Sequence, residues 1–366
     1  MNRKALIVYH YFAHYRYNIL KELSDDTSLE FFFAADYKDD KVVKLVSDDF
    51  APPNKKVFLK NFWIGPFLWQ SGLIKQLLLI KKFDTYILLG DYKFLSSWVF
   101  LFISKLSNRK VYLWTHGLLK DEKGIKWLVR KLMYSLSDGL LLYGDRAKLL
   151  LDDKGIDYKK CHVIYNSVNE LDLGNRDKKK AAMNLGMKYD LIFSGRLLES
   201  RKLELLASAV SELKDEGLNI KVLVVGDGAY KQDFIKLLEK LNIVSFFEFK
   251  GAVYDSILMS EYFAYSKALI MPSDIGLAAV HSLSHYTPVI THGDASKHKP
   301  EAECLKEGVS GFFFNYDSSA SLANVIKKLV VSDVYTEQFF DECTTTISTK
   351  YVPSKQREFI VSAVNE

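Results

Sequence analysis

The sequence predicts two α/β domains of the Rossmann-like, doubly wound kind, on three observations. Its 366 residues suit two domains of ordinary size, and 48% apolar with 14% aromatic residues can fill two cores. Short apolar runs of strand length alternate with stretches of helical period along the whole chain. The third is the segment Ser266–Thr291, which reads as one complete βαβ unit. Lys267–Met271 is a buried strand stopped by Pro272-Ser273, Asp274-Ile275-Gly276 turns the chain, Leu277–Leu283 is a helix, and Pro288–Thr291 starts the next strand. In an open parallel sheet the ligand lies beyond the carboxyl ends of the strands. A glycine ahead of a helix lets a phosphate approach the backbone, where N–H groups and the helix dipole meet it.

In order along the first half, Ala5–Tyr9, Phe31–Ala35, Tyr86–Gly90, Val111–Trp114, Gly139–Tyr143 and Val163–Tyr165 read as strands. Asn18–Leu23, Trp127–Ser135 and Asp145–Gly155 read as helices. Phe94–Leu106 is apolar all round and is therefore expected to be a buried helix. The loop after the first strand carries His14 and Arg16, at a usual ligand position of such folds. His116 ends the strand Val111–Trp114 and is followed by a glycine, a second candidate; its alternative is a turn-capping role. Lys55–Phe83 mixes lysines with Phe62, Trp63, Phe67 and Trp69, which reads as an interfacial membrane surface, a cap on a cleft, or core.

Residues 170–188 are rich in Lys, Asp and Gly and suit a linker, so the expected organisation is 1–170, 171–345, and a crossing C-terminal helix at 346–366. In the second half Tyr189–Ser194, Lys221–Val225 and Phe247–Gly251 read as strands, with helices at Leu203–Glu216, Lys231–Leu241, Glu261–Ser266 and Ser321–Val331. The first of these strands leads to Gly195-Arg196 and then Arg201-Lys202, the second to Gly226-Asp227-Gly228. Fixed cations at strand ends suit a diphosphate, whose oxygens arginine can hold in pairs.

Composition also excludes. Three widely spaced cysteines, Cys161, Cys304 and Cys343, show no metal-ligand spacing and read as reduced thiols. No apolar stretch is long enough to span a bilayer and no leader precedes the first strand, so a cytoplasmic protein is expected, free or peripheral on the inner membrane face. Up to Glu170 there are 27 Lys and Arg against 19 Asp and Glu, a balance of +8, while the remainder is −3. This basic half faces either anionic lipid or a lipid-diphosphate acceptor, or is a scattered solvated surface. No compact basic run interleaved with stacking aromatics supports nucleic-acid binding.

Pro272-Ser273, Gly276-Leu277, Pro288-Val289, Gly308 and Gly311 together resemble the donor block of retaining GT-B glycosyltransferases of family 4, written P-S-x-x-E-G-F-G-L, then E-A, then G-x-P-V. Gly195-Arg196-Leu197 with Arg201 resembles the same family's G-R-L-x-x-x-K, and Gly226-Asp227-Gly228 its G-D-G-P. The resemblance implies two Rossmann-like domains facing each other across a cleft. It implies sugar transfer from a nucleotide-diphosphate donor to a glycan or lipid-linked acceptor, as in bacterial O-antigen or capsule synthesis, with anomeric retention. No cofactor or metal is implied, since Arg196, Arg201 and Lys202, with the N–H groups at Gly276 and Leu277, would hold the diphosphate. Gly226, Asp227, Gly251 and Val253 would border the nucleoside, and His116 the transferred sugar. His14 and Arg16 would belong to the acceptor or cleft loop. This chain departs from the family at both acidic positions: His281 replaces the second Glu, and Ser273 or Asp274 stands at the first. Asp274 then either holds a donor-sugar hydroxyl as a catalytic-site residue or caps the helix. His281 either reaches the ribose or packs on a helix face. The alternatives are a nucleotide-sugar epimerase and a nucleotide-binding subunit without turnover.

Overall fold

The computed structural model describes residues 3–38, 44–78, 83–107, 109–168, 174–332 and 334–366. The chain divides into two compact units, Met1–Asn169 with Lys350–Glu366, and Glu170–Thr349. The boundary expected at 170/171 lies outside the described residues.

The first unit runs β1 (Lys4–Val8), α1 (Tyr17–Ser24), β2 (Glu30–Ala35), β3 (Lys56–Phe58), β4 (Lys60–Ile64), β5 (Phe67–Ser71) and α2 (Leu73–Leu78). It continues with β6 (Thr85–Leu89), α3 (Leu95–Leu106), β7 (Lys110–Thr115), α4 (Gly124–Leu136), β8 (Gly139–Leu142), α5 (Asp145–Asp153) and β9 (Cys161–Val163). Seven strands form one parallel sheet in the order β3-β2-β1-β6-β7-β8-β9, and β4 and β5 form a separate antiparallel hairpin. Period-two alternation sends Leu6, Val8, Leu88 and Leu113 into the core on one sheet face and Ala5, Ile7, Ile87 and Trp114 into that on the other. A parallel sheet covered on both faces needs such continuous apolar strands.

The second unit runs α6 (Gly174–Leu185), β10 (Tyr189–Ser194), α7 (Leu203–Asp215), β11 (Val222–Val225), α8 (Lys231–Lys240), β12 (Phe247–Gly251) and α9 (Ser256–Ala264). There follow β13 (Ser266–Met271), α10 (Leu277–Ser284), β14 (Val289–His292), β15 (Gly311–Phe314), α11 (Ser319–Val331) and α12 (Glu337–Lys350). Its six strands are parallel in the order β12-β11-β10-β13-β14-β15. The last helix, α13 (Pro353–Asn365), belongs to the first unit, where Arg357 meets Asp26 and Gln356 donates to the Tyr165 carbonyl (2.7 Å).

Several elements differ from expectation. The C-terminal segment is two helices, divided at Pro353, which lacks the N–H that a continuous helix would use. Residues 174–185, expected as linker, form α6, anchored by Lys179: its Nζ is buried and bonds the Phe263 and Ser266 carbonyls and Thr287 Oγ1. The last strand of the first sheet is Cys161–Val163, ending before Tyr165, which takes φ +53° in the left-handed region. The short helix expected at Glu261–Ser266 is the end of the longer α9. Finally, α3 is not buried all round: Phe100 and Leu101 are in the core, but Phe102 is 54% and Leu106 89% exposed.

Candidate functional site

In the second unit three strand-end loops lie backbone against backbone. Gly226 N donates to Gly251 O (2.7 Å), Gly195 N to Val225 O (3.0 Å), and Leu197 N to Asp227 O (3.0 Å). This closeness explains the glycines. A Cβ on Gly226, at φ +144°, would stand 1.9 Å from Gly195 O, and one on Gly228 2.2 Å from Leu197 O. Over these loops opens a pocket of about 320 Å³ lined by Ser194, Gly195, Arg196, Val225, Gly226, Asp227 and 252–254. It gathers Arg196, Gly226, Asp227 and Val253 of the predicted set, and Gly251 bonds the loop beneath them. Asp227 accepts from Gly228 N (2.8 Å), which holds its carboxyl below the usual range, and lies 3.4 Å from Lys231 Nζ.

On the other side of β10, Arg201 reaches the turn after β13. Its Nη1 donates to Asp274 O (3.1 Å) and stands 3.5 Å from Ser273 Oγ and 3.4 Å from Asp274 Oδ1, while Nε is buried without a hydrogen-bond partner. Gly276 ends that turn as the N-cap of α10. The N–H groups of Gly276 and Leu277, at the start of α10, have no acceptor within the helix. A Cβ on Gly276 would stand 3.0 Å from the Lys299 side chain and 3.3 Å from Glu301 Oε2. Glu301, only 4% exposed, thus lies at the mouth of α10. Asp274 is not the N-cap of α10, which has no side-chain cap; its carboxylate lies between Arg201 and Lys299 (3.9 Å).

Two predicted residues sit elsewhere. Lys202, in the left-handed region (φ +54°), bonds Asp317 Oδ1 (2.6 Å) and lies over the Tyr316 ring (4.4 Å). The hydrogen bond to Asp317 raises its pKa, and this ion pair lies at the end of β15, apart from the contacts Arg201 makes with the turn before α10. His281 packs edge-on against Phe263 (5.1 Å) and His285 (4.6 Å), and burial, with His285 beside it, takes its pKa down to about 3. It is a neutral packing residue and is not among those lining the Arg196 pocket.

The sequence reading missed a histidine pair. Ile275 N donates to His298 Nδ1 (3.1 Å), and His298 Nε2 bonds His292 O (2.8 Å). Nδ1 as acceptor places the His298 proton on Nε2. The two rings stack at 4.0 Å and 11°, and Asp294 N donates to His292 Nδ1 (3.2 Å). Burial, then His298, brings the His292 pKa down to about 4. The pair fastens the turn on which Arg201 rests. Its one sequence signal was the position of His292 at the end of a predicted strand.

In the first unit His116 directly follows β7 and is exposed, its ring 4.7 Å from that of Tyr143. Arg16 donates to Tyr143 Oη (2.5 Å) and lies over the rings of Tyr9 (4.8 Å) and Trp114 (5.2 Å). Tyr143, another missed residue, thus joins two predicted ones. His116 also lines a pocket of about 350 Å³ with Asp91, Tyr92, Lys93, Lys126 and Arg130. His14 stands apart, exposed, bonded to the Lys44 carbonyl (3.2 Å). Among the described residues, no group of three or more His, Cys, Asp or Glu is arranged for a metal ion.

The second unit is thus a doubly wound sheet whose strand ends carry a glycine-lined pocket, two arginines and an open helix start. Residues 175–339 match the family model of glycosyl transferases group 1, and the fold is GT-B. It resembles the lipopolysaccharide outer core galactosyltransferase WaaB (TM-score 0.70, 13% identity, 99% of each chain). It also resembles the Anabaena protein HepE solved with UDP (TM-score 0.71, 15% identity, 99% of each chain). A Campylobacter jejuni N-acetylgalactosamine-N,N'-diacetylbacillosaminyl-diphospho-undecaprenol 4-alpha-N-acetylgalactosaminyltransferase is 25% identical over 227 residues, 60% of this chain and 58% of that protein. The alpha-monoglucosyldiacylglycerol synthase of Streptococcus pneumoniae is 22% identical over 259 residues, 68% of this chain and 57% of that protein. The matches thus span under two thirds of these relatives.

Proposed function

We propose that the protein transfers a hexosyl group from a nucleotide-diphosphate sugar to a glycan or lipid-linked acceptor, with retention, in the assembly of a surface polysaccharide. The carrying observation is Arg201 held on the Ser273–Asp274 turn at the mouth of α10, beside the pocket that Arg196 lines. In such a transfer the acceptor hydroxyl oxygen bonds the anomeric carbon as its bond to the diphosphate oxygen breaks. The bonding pair and the hydroxyl proton go to the leaving diphosphate. Negative charge grows where Arg196, Arg201 and the N–H groups at Gly276 and Leu277 would lie, which lowers the barrier. Those cations take the place of a metal, so chelator is expected to leave turnover intact. Gly226, Asp227, Gly251 and Val253 would border the nucleoside, and Asp274 the donor sugar. His116 would meet the transferred sugar, and Arg16 would hold the acceptor-side loop through Tyr143. The relatives whose names give a lipid-linked or lipid acceptor support a peripheral place at a membrane.

The test is thermal unfolding with UDP-, GDP- and TDP-sugars, followed by donor hydrolysis by wild type and Arg196→Ala. A nucleotide-dependent rise in Tm and hydrolysis lost in the variant are expected. Binding without turnover of any donor would make the protein a nucleotide-binding unit instead.

A further inference from the structure

A guanidinium partly removed from water is ordinarily paired with a carboxylate, which supplies the counter-charge that water no longer gives. Arg16 departs from that pattern. It is only partly exposed, and the rings of Tyr9 (4.8 Å), Trp114 (5.2 Å), Tyr15 and Tyr143 (both 5.9 Å) stand around its guanidinium. Its hydrogen bond goes to the Tyr143 hydroxyl (2.5 Å), and among the described residues no Asp or Glu pairs with it. A guanidinium carries five N–H donors in one planar fork, so most of this fork is uncommitted. Arg130 and Lys126, in the pocket that His116 lines, are different: both pair with Glu122.

The place is that of a ligand. The order of the first sheet reverses between β1 and β6, and open parallel sheets hold their ligands beyond the carboxyl ends at such a point. Arg16 lies in the loop after β1, and the pocket of about 350 Å³ starts from Leu89 and Gly90 at the end of β6. Two residues join them. His116 lines the pocket and packs on Tyr143, which holds Arg16. Trp114 lines the pocket and lies against Arg16, and its indole N–H is buried with no hydrogen-bond partner among the described residues. A buried donor left unpaired is one that a bound group can satisfy. We propose that Arg16 pairs with a negatively charged group of the acceptor, a carboxylate or a phosphate, whose neighbouring sugar ring occupies the pocket lined by His116. The proposal rests on the transfer reading above and adds the charge class of the acceptor. The planar fork matches the paired oxygens of either group, and the rings around it reduce the side-chain freedom lost on binding. Asp91, the carboxylate of the pocket, accepts from Lys93 N (3.0 Å) and would take a sugar hydroxyl rather than the anion.

Calorimetry of the full chain compares methyl glucuronide, glucose 1-phosphate and the neutral methyl glucoside. Wild type is expected to prefer at least one anionic sugar to the neutral one by about tenfold, and less at high salt. Preference for the glucuronide assigns a carboxylate, and preference for the phosphate assigns a phosphate. Two neutral variants, Arg16→Gln and Arg16→Met, are expected to abolish the preference; the second keeps an apolar stem among the rings, and unfolding curves check that each folds. Arg16→Lys should keep part of it, and Arg201→Ala, in the donor unit, all of it. Equal or absent binding of the three sugars by wild type, a preference that survives in a folded neutral variant, or one lost in Arg201→Ala would each overturn the proposal. Nucleotide-sugar Tm shifts on the same samples report the donor reading separately. An anionic preference without such a shift defeats that reading alone, and a shift without the preference defeats this one alone.

Discussion

Arg201 Nη1 lies 3.1 Å from the main-chain oxygen of Asp274, which ties the loop after β10 to the turn that opens α10. On the proposed function, Arg201→Ala would remove both a cation for the diphosphate and this tie, so donor affinity is expected to fall about tenfold to a hundredfold by calorimetry. Arg201→Lys should recover little, because an ammonium lacks the planar fork that spans carbonyl and phosphate together. Full affinity in Arg201→Ala would remove this side chain from the donor site.

The Gly226 prediction is steric. Gly226→Ala places a Cβ where Gly195 O already lies and must separate the two loops under the pocket. A loss of roughly 3 kcal/mol or more is expected in denaturant unfolding. Gly293→Ala is the control: its Cβ would meet nothing nearer than 3.7 Å, and a change within about 0.5 kcal/mol is expected.

His298 acts through Ile275. His298→Ala frees the Ile275 N–H and the His292 carbonyl and loosens the turn before α10. Donor KM is expected to rise several-fold with the donor pocket otherwise unchanged. His298→Asn, which can accept and donate, is expected to restore part of the loss. An unaltered KM in the alanine variant would show that the turn holds without the histidine.

Acid should destabilise the second unit. His281 and His292 have folded pKa values of about 3 and about 4, below the ordinary histidine value of about 6.5. Between those limits the unfolded chain binds protons that the folded chain does not. Stability is therefore full above about pH 6.5 and falls as pH drops toward the folded values. On the order of 1–2 kcal/mol per histidine is expected to be lost at pH 5. Urea titrations of wild type and His292→Gln at pH 7 and pH 5 check this, and equal pH slopes in the two would refute the assignment to His292.

The strand-end residues show how far reading by pattern reached. Arg196, Gly226 and Val253 are in separate segments, the first two recognised because they follow a buried strand and Val253 through the family resemblance, and the parallel register brings all three to one pocket. His116 was found the same way, but its partner Tyr143 was not, because the link runs across neighbouring strands β7 and β8. His298 gave no periodic signal, since its role is a hydrogen bond to a main-chain group twenty-three residues earlier. α3 was misjudged for a related reason. Composition shows that a helix is apolar on all sides but not whether protein supplies a neighbour for each.

The sequence alone showed eleven of the fifteen described strands, because short apolar runs bounded by turn residues are local and can be read residue by residue; β3, the hairpin β4–β5 and β15 it did not show. It also determined which loops meet at the carboxyl ends of the second sheet. Tertiary structure decided which cation serves which partner: Arg201 goes to the turn at Asp274 and Lys202, its neighbour, to Asp317. Adjacent side chains differ so completely because the left-handed backbone at Lys202 turns the chain into α7, and only the folded geometry sets where each long side chain points.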